Sequence, residues 1–405
     1  MKPLAYLVFG LILLLSFSCV EEIDFATNTE TFESALVVEA TITNEYKQQQ
    51  VRLSRTYKFE EDGPNPETGA QVTLVANGQV YDFTGTNEGI YYSNASFAAQ
   101  PNTNYQLKIT TSNGRKYSST LMQLTQETQI NNLYAEHITN DFGDDGIAIR
   151  VDSFDPTSNS HFYRYEYEET YKIIAPFYNG SKLIVTGNVF PDCTVQVVGR
   201  DEDVRTCFKT DLSTNVILTS TQDLQEDLVE GFQVRFLNKN NFKISHRYSI
   251  LVKQYVQQPE AFLYYSKLKD IAEQDSNLFS QLQPGFLNGN ISSETNTEEK
   301  VVGYFEVASV SKQRIFFNYT DFYPNEPLPP YVIACVPFAP PLFVPGLGGG
   351  GRCGELITSL ESDTITYWDA NLSPEEGEGP YLVVIKVCGD CTELGSTQVP
   401  DFWVE

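Results

Sequence analysis

Histidine is scarce in this chain of 405 residues; only His137, His161 and His246 occur, widely separated. Basic residues are also few: 27 Lys and Arg stand against 53 Asp and Glu, a net charge of −26. Phosphate backbones and anionic lipid surfaces repel such a chain, and no polybasic run offsets the repulsion, so nucleic-acid binding is excluded. There is no H-E-x-x-H, G-x-S-x-G or P-loop lysine motif. Gly346–Gly351 is glycine-rich but no Lys-Ser/Thr follows, so it reads as a loop rather than a phosphate cradle. Asp141, Asp144 and Asp145 suggest calcium, yet Gly143 holds the third loop position and the sixth lacks glycine, which is not an EF-hand. A solvated turn is the expectation there. The sequence implies no metal, no cofactor and no catalytic residue.

What is present begins at the N-terminus. Lys2 precedes an apolar run from Leu4 to Phe17, 14 residues long, where a spanning helix needs about 20. That is the layout of a cleaved leader over residues 1–18. The segment Leu15–Glu22 resembles the lipobox of bacterial lipoproteins, in which the cysteine, here Cys19, becomes the acylated first residue. Ser18 fits the small residue before it; Ser16 stands where leucine is usual, and Phe17 is bulky. Ser16-Phe17-Ser18 also passes as an ordinary small-x-small cleavage site. Glu21 and Glu22 resemble the acidic pair that marks Bacteroidota lipoproteins for the cell surface, the alternative being a plain charged linker. Residues 19–34 then form a lipidated tether.

The seven cysteines are Cys19, Cys193, Cys207, Cys335, Cys353, Cys388 and Cys391. An odd count leaves one thiol unpaired in an oxidising compartment; lipidation of Cys19 removes that oddity and leaves six disulfide candidates. Six cysteines leave the connectivity open. A local Cys193–Cys207 bridge is the simplest expectation, with the other four meeting at the C-terminal end. Zinc would need a second well-spaced pair beside Cys388-Gly-Asp-Cys391.

The composition, 41% hydrophobic and 13% aromatic with 24 Tyr and 26 Phe, favours strands. Leu36–Thr43, Gln50–Ser54, Ala70–Val75, Val80–Phe83, Gly89–Tyr92, Tyr105–Ile109 and Lys116–Ser119 are short and alternating. Asn77-Gly78 marks a hairpin, and 62–69 is a loop of turn formers. These predict an N-terminal β-sandwich, Ig-like or transthyretin-like, over 35–126. A larger β-rich domain with one short helix follows over 127–405. Its strand His161–Glu168 alternates aromatic with polar residues: a binding strip, or one buried and one wet face. The helix follows Pro259, which suits a first-turn position. Val301–Val307 and Arg314–Phe317 read as two strands. Between Tyr323 and Gly351 the chain is too rich in proline and glycine for regular structure. Asp363-Thr364-Ile365 matches a short O-glycosylation pattern that chance also produces.

Several of these residues, taken in order, resemble a Bacteroidota lipoprotein family known only as domain of unknown function 4249. They are Asp155-Pro156, Tyr248–Tyr265, Pro284-Gly285, Gly289-Asn290-Ile291, Gly303-Tyr304-Phe305 and the Cys388-x-x-Cys391…Pro400-Asp401-Phe402-Trp403 ending. The resemblance implies an outer-membrane lipoprotein encoded beside TonB-dependent, SusC-like transporters, without established catalytic residues. The expected function is a non-catalytic, surface-exposed accessory subunit, anchored in the outer membrane by its N-terminal lipid and docked on such a barrel. Phe338, Leu342, Phe343 and Val344 are the candidate partner contacts, since exposed apolar patches mark interfaces. The alternative is that this loop folds under itself, pinned by Cys335 and Cys353. Capture of a ligand or glycan is the second functional class, and an extracellular hydrolase the third.

Overall fold

Alternation of apolar and polar residues in β1 (Leu36–Thr43) sends Leu36, Val38, Ala40 and Ile42 to one face, where all four are buried. This computed structural model describes residues 34–57, 63–274, 287–346 and 350–405. The expected leader and, apart from Ser34, the tether, with Cys19, Glu21 and Glu22, lie outside those residues, as do Pro284 and Gly285. After β1 come β2 (Gln50–Arg55), β3 (Asn65–Pro66), β4 (Gln71–Ala76), β5 (Gln79–Gly85), β6 (Ile90–Ser93), β7 (Tyr105–Thr110) and β8 (Lys116–Ser119). Next are β9 (Ile130–Thr139), β10 (Asp145–Asp155), β11 (Phe162–Ile174), β12 (Ser181–Val189), β13 (Asp192–Gly199), β14 (Thr206–Leu212), β15 (Ile217–Ser220), β16 (Asp227–Asn238) and β17 (Arg247–Val256). Helix α1 (Pro259–Gln274), β18 (Ile291–Ser293), β19 (Val301–Asn318) and α2 (Tyr319–Phe322) follow. The chain closes with β20 (Phe343–Pro345), β21 (Gly351–Cys353), α3 (Glu355–Glu361), β22 (Ile365–Ala370), β23 (Tyr381–Ile385) and α4 (Lys386–Gly389). The protein is mainly β, and α1 begins at Pro259, whose missing N–H costs nothing in a first turn.

Fourteen strands share one sheet in the order β14-β11-β17-β19-β1-β2-β6-β5-β4-β7-β8-β18, with β15 on β11 and β3 on β2. Its pairings are antiparallel except for β1 with β19, Leu36 opposite Val301 through Thr43 opposite Ala308. Beyond Ala308, β19 continues with β17 alone, Ser309 opposite Val256 to Asn318 opposite Arg247. The two strands expected at Val301–Val307 and Arg314–Phe317 are therefore one of 18 residues. The intervening Ala-Ser-Val-Ser-Lys-Gln has weak strand preference by itself; its cross-strand partners hold it extended.

Three cores result. The first lies inside the curl of β1 to β8, and it is completed from far along the chain by Ala261, Tyr264, Ile291, Val301, Tyr304, Phe305 and Val307. Closure of that curl depends on Asn290, whose side chain receives a hydrogen bond from Phe305 N–H (2.8 Å) and donates to Phe305 O (2.8 Å). A side-chain amide thus stands in for a neighbouring strand. Gly289 and Gly303 permit the approach: a Cβ at Gly289 would lie 1.6 Å from Gly303 O, and one at Gly303, where φ is +119°, 1.9 Å from Val38 O. The second core fills the space between β11, β17 and β19 and a separate sheet ordered β16-β10-β9. The third is a small cluster of Leu183, Leu356, Ile365, Tyr367 and Val383 in a cap built from the β12–β13 hairpin, α3 and the β22–β23 hairpin.

Candidate functional site

The cap is held by three disulfides: Cys193–Cys353, Cys207–Cys391 and Cys335–Cys388. The expected local Cys193–Cys207 bridge is not formed. Cys193 sits in β13, which pairs only with β12, whereas Cys207 sits in β14 at the edge of the main sheet. Residues 200–205 carry the chain from one layer to the other, so nearness in sequence is not nearness in space. Cys335–Cys388 alone joins two of the four C-terminal cysteines; the other two bridges reach back across 160 and 184 residues.

Within this frame the loop from Phe338 to Val344 is both pinned and displayed. Its backbone is tied at Phe338 N–H to Val383 O (2.9 Å), Gly379 N–H to Ala339 O (3.0 Å) and Gly354 N–H to Leu342 O (2.8 Å). Gly354 is required at that contact, because a Cβ there would fall 2.0 Å from Pro341 O. Leu342 packs against the third core. Phe338 and Phe343 remain 39% and 55% exposed, and Val344 is half-buried. The four residues therefore divide: Leu342 anchors, while Phe338 and Phe343 face outward.

A second locus lies on the outward face of β11. The alternation predicts that face to be wet, but Arg164 is only 6% exposed. Its guanidinium lies over the rings of Tyr255 (4.4 Å) and, from α1, Tyr265 (4.8 Å). Nη2 donates to Glu306 Oε1 at 2.6 Å, and Nη1 pairs with Glu166. Glu306, 2% exposed, also accepts from Gln257 Nε2 (3.0 Å) and Thr41 Oγ1 (2.9 Å). Burial opposes charge on both Arg164 and Glu166. The attraction of Glu306 nonetheless holds the guanidinium well above its usual pKa, and Arg164 with the Tyr255 hydroxyl holds the Glu166 carboxyl below its own. Beside this clamp is a cavity of about 340 Å³, floored by Arg164, Glu166 and Glu168 and walled by Ser213–Val216. That wall exists because β14 and β15 both pair with β11 and the chain between them bulges away, tied at Ser213 N–H to Tyr167 O (2.9 Å). The sequence signal for it was a charged residue, Arg164, amid tyrosines, which alternation alone assigns to solvent.

The three histidines have different surroundings: His137 pairs with Asp145, His161 approaches Thr221, and His246 lies near Lys172. Asp141 and Asp144 occupy the exposed β9–β10 turn, where Asn140 caps the backbone of Phe142 and Asp144. Among the described residues, no group of three or more His, Cys, Asp or Glu could hold a metal ion.

Comparison with known proteins bears on this architecture directly. The family described as Domain of unknown function (DUF4249) matches residues 20–314. The chain belongs to this family. The DUF4249 match takes in the first core, most of the second (Phe317, Tyr319, Tyr323 and Cys391 lie past it), the Arg164–Glu306 clamp and the Asn290–Phe305 closure. It stops before the proline-rich loop, four of the cap cysteines and the Pro400–Trp403 ending, so those residues extend past the matched part of DUF4249. No curated protein matches the chain. Among solved structures, the B domain of a biofilm associated protein is 8% identical, over 69% of this chain and 85% of that one, with a TM-score of 0.11.

Proposed function

We propose that this protein is a non-catalytic, lipid-anchored accessory subunit of a Bacteroidota outer-membrane assembly, docked on a TonB-dependent, SusC-like transporter and contacting its cargo. The observation that supports it is the polarity of the fold. Ser34, at the start of the described chain, hydrogen-bonds Thr56 O (2.7 Å) beside the Val301 end of β19, and the disulfide-held cap lies beyond the Asn318 end. A strand of 18 residues spans about 60 Å. A lipid on Cys19, with Glu21 and Glu22 following, would tether the near end and leave Phe338, Phe343 and Val344 on the opposite one, open to a partner. The 340 Å³ cavity over β11 favours a second reading, capture of a polar ligand between Glu166, Glu168 and Lys253.

Pull-down of the native protein from detergent-solubilised outer membranes tests the docking reading. Recovery with a barrel transporter, reduced in a Phe338→Ser/Phe343→Ser variant, is expected; recovery without any barrel partner overturns it. In the same cells, radiolabelled palmitate should enter the wild type and not Cys19→Ala.

A further inference from the structure

The strand ends farthest from Ser34 enclose a cavity that neither reading uses. Lys172 and Ile174 of β11, Ser245–Arg247 at the start of β17, Asn318 at the end of β19 and Tyr319–Thr320 of α2 surround about 260 Å³. The segment Pro400–Glu405 crosses the outward face of the sheet to reach it. Trp403 meets Phe208 edge-on (4.9 Å) and Phe316 (5.8 Å), and Phe402 lies under the Arg314 guanidinium at 3.6 Å. Those contacts deliver the Glu405 carboxylate to Lys172 Nζ, at 2.9 and 3.1 Å, while Arg247 Nε donates to Val404 O.

The charge here is opposite to that of the whole molecule. Two permanent cations and an imidazole converge in a chain with about twice as many acidic as basic residues. Glu405 is the one carboxylate among the residues that line the cavity; nearby Asp321 is engaged by Asn318 N–H at 2.7 Å. The Glu405 side chain is 66% exposed against 22% for Lys172. An ion pair so exposed on its acidic side holds weakly, so a competing carboxylate can displace it. Burial, and then the charge of Lys172, lower the His246 pKa, as expected in a positive pocket.

We infer that this cavity is a binding site for a carboxylate-bearing ligand, and that Glu405 occupies the ligand's place until displaced. The ligand is a small organic acid or the free carboxyl end of a peptide; both offer the same group to Lys172 and Arg247. The site stands independently of the docking reading.

The test titrates the full chain with succinate, and with a tetrapeptide bearing a free or an amidated C-terminus, by calorimetry and by tryptophan fluorescence. Trp403 is one of two tryptophans, so displacement of its segment changes the emission. Glu405→Gln removes the side-chain carboxylate that pairs with Lys172 and should tighten binding about fivefold; Lys172→Gln should weaken it about tenfold, and Lys172→Arg should restore it. Saturation by succinate assigns a free acid, and saturation by the free-ended but not the amidated peptide assigns a chain end; either supports the site. Absence of binding in Glu405→Gln, or equal affinity in a Lys172→Gln variant that melts like the wild type, overturns it.

Discussion

Arg164 and Asp155 show at the scale of single residues how polar groups are used here as internal fasteners. Arg164 joins β11 to β19 through Glu306 and to α1 through Tyr265. Arg164→Met leaves Glu306 buried without its cation, and urea unfolding should show a loss of about 3–5 kcal/mol. Changing Glu306→Gln in the same chain should return most of that; an unchanged midpoint in the single variant would remove the clamp from the account. Asp155 closes the loop into β11, accepting from Thr157 N–H (2.9 Å), Thr157 Oγ1 (2.7 Å), Asn159 N–H (3.1 Å) and Ser160 N–H (3.1 Å). Burial would raise its pKa, but these four donors bring it below the ordinary value of 3.8. The carboxylate therefore stabilises the fold fully above that value, and the contribution is lost as pH falls through the depressed one. Below about pH 4 the wild type should lose up to about 1.4 kcal/mol more per pH unit than Asp155→Asn. Parallel acid limbs would contradict this.

Among the elements, β19 bears the most weight. It completes the first core, floors the second and carries Glu306, and its inner half has β1 on one side and the Asn290 side chain bonded to Phe305 on the other. Asn290→Ala would leave Phe305 N–H and C=O without partners, at about 2 kcal/mol. Thermal melting should register that loss, and hydrogen exchange should localise it to Phe305. An aspartate could accept from Phe305 N–H but not donate to its carbonyl, so Asn290→Asp should fall between. This is also the physical content of the Gly289-Asn290-Ile291 and Gly303-Tyr304-Phe305 patterns: two glycines for close approach and one amide as a surrogate strand. In the sequence they appear only as short motifs 14 residues apart. Alternation located β1, β4 and β7 well, because one buried face imposes a period of two. It located β12 to β15 poorly, since these are half-exposed hairpin or edge strands with no consistent apolar face.

For the whole molecule, the decisive constraint is the covalent frame of the cap. Non-reducing peptide mapping should recover Cys193–Cys353, Cys207–Cys391 and Cys335–Cys388; a Cys193–Cys207 peptide pair would refute the arrangement. Because the first two close very long loops, removing Cys193–Cys353 by paired serine substitution should cost about 2–5 kcal/mol. It should also expose the proline-rich loop to protease before the large cores unfold. From the sequence alone came the β character, the helix after Pro259, the Asn77-Gly78 hairpin and the net acidity, since each depends on local periodicity, turn chemistry or a sum of charges. Cysteine parity likewise pointed to disulfides without saying which. Pairing, the shared strand between the first two cores, the burial of Arg164 and the display of Phe338 and Phe343 around an anchored Leu342 were decided only by the tertiary structure. Each depends on which distant segments meet, and neither spacing nor composition carries that information.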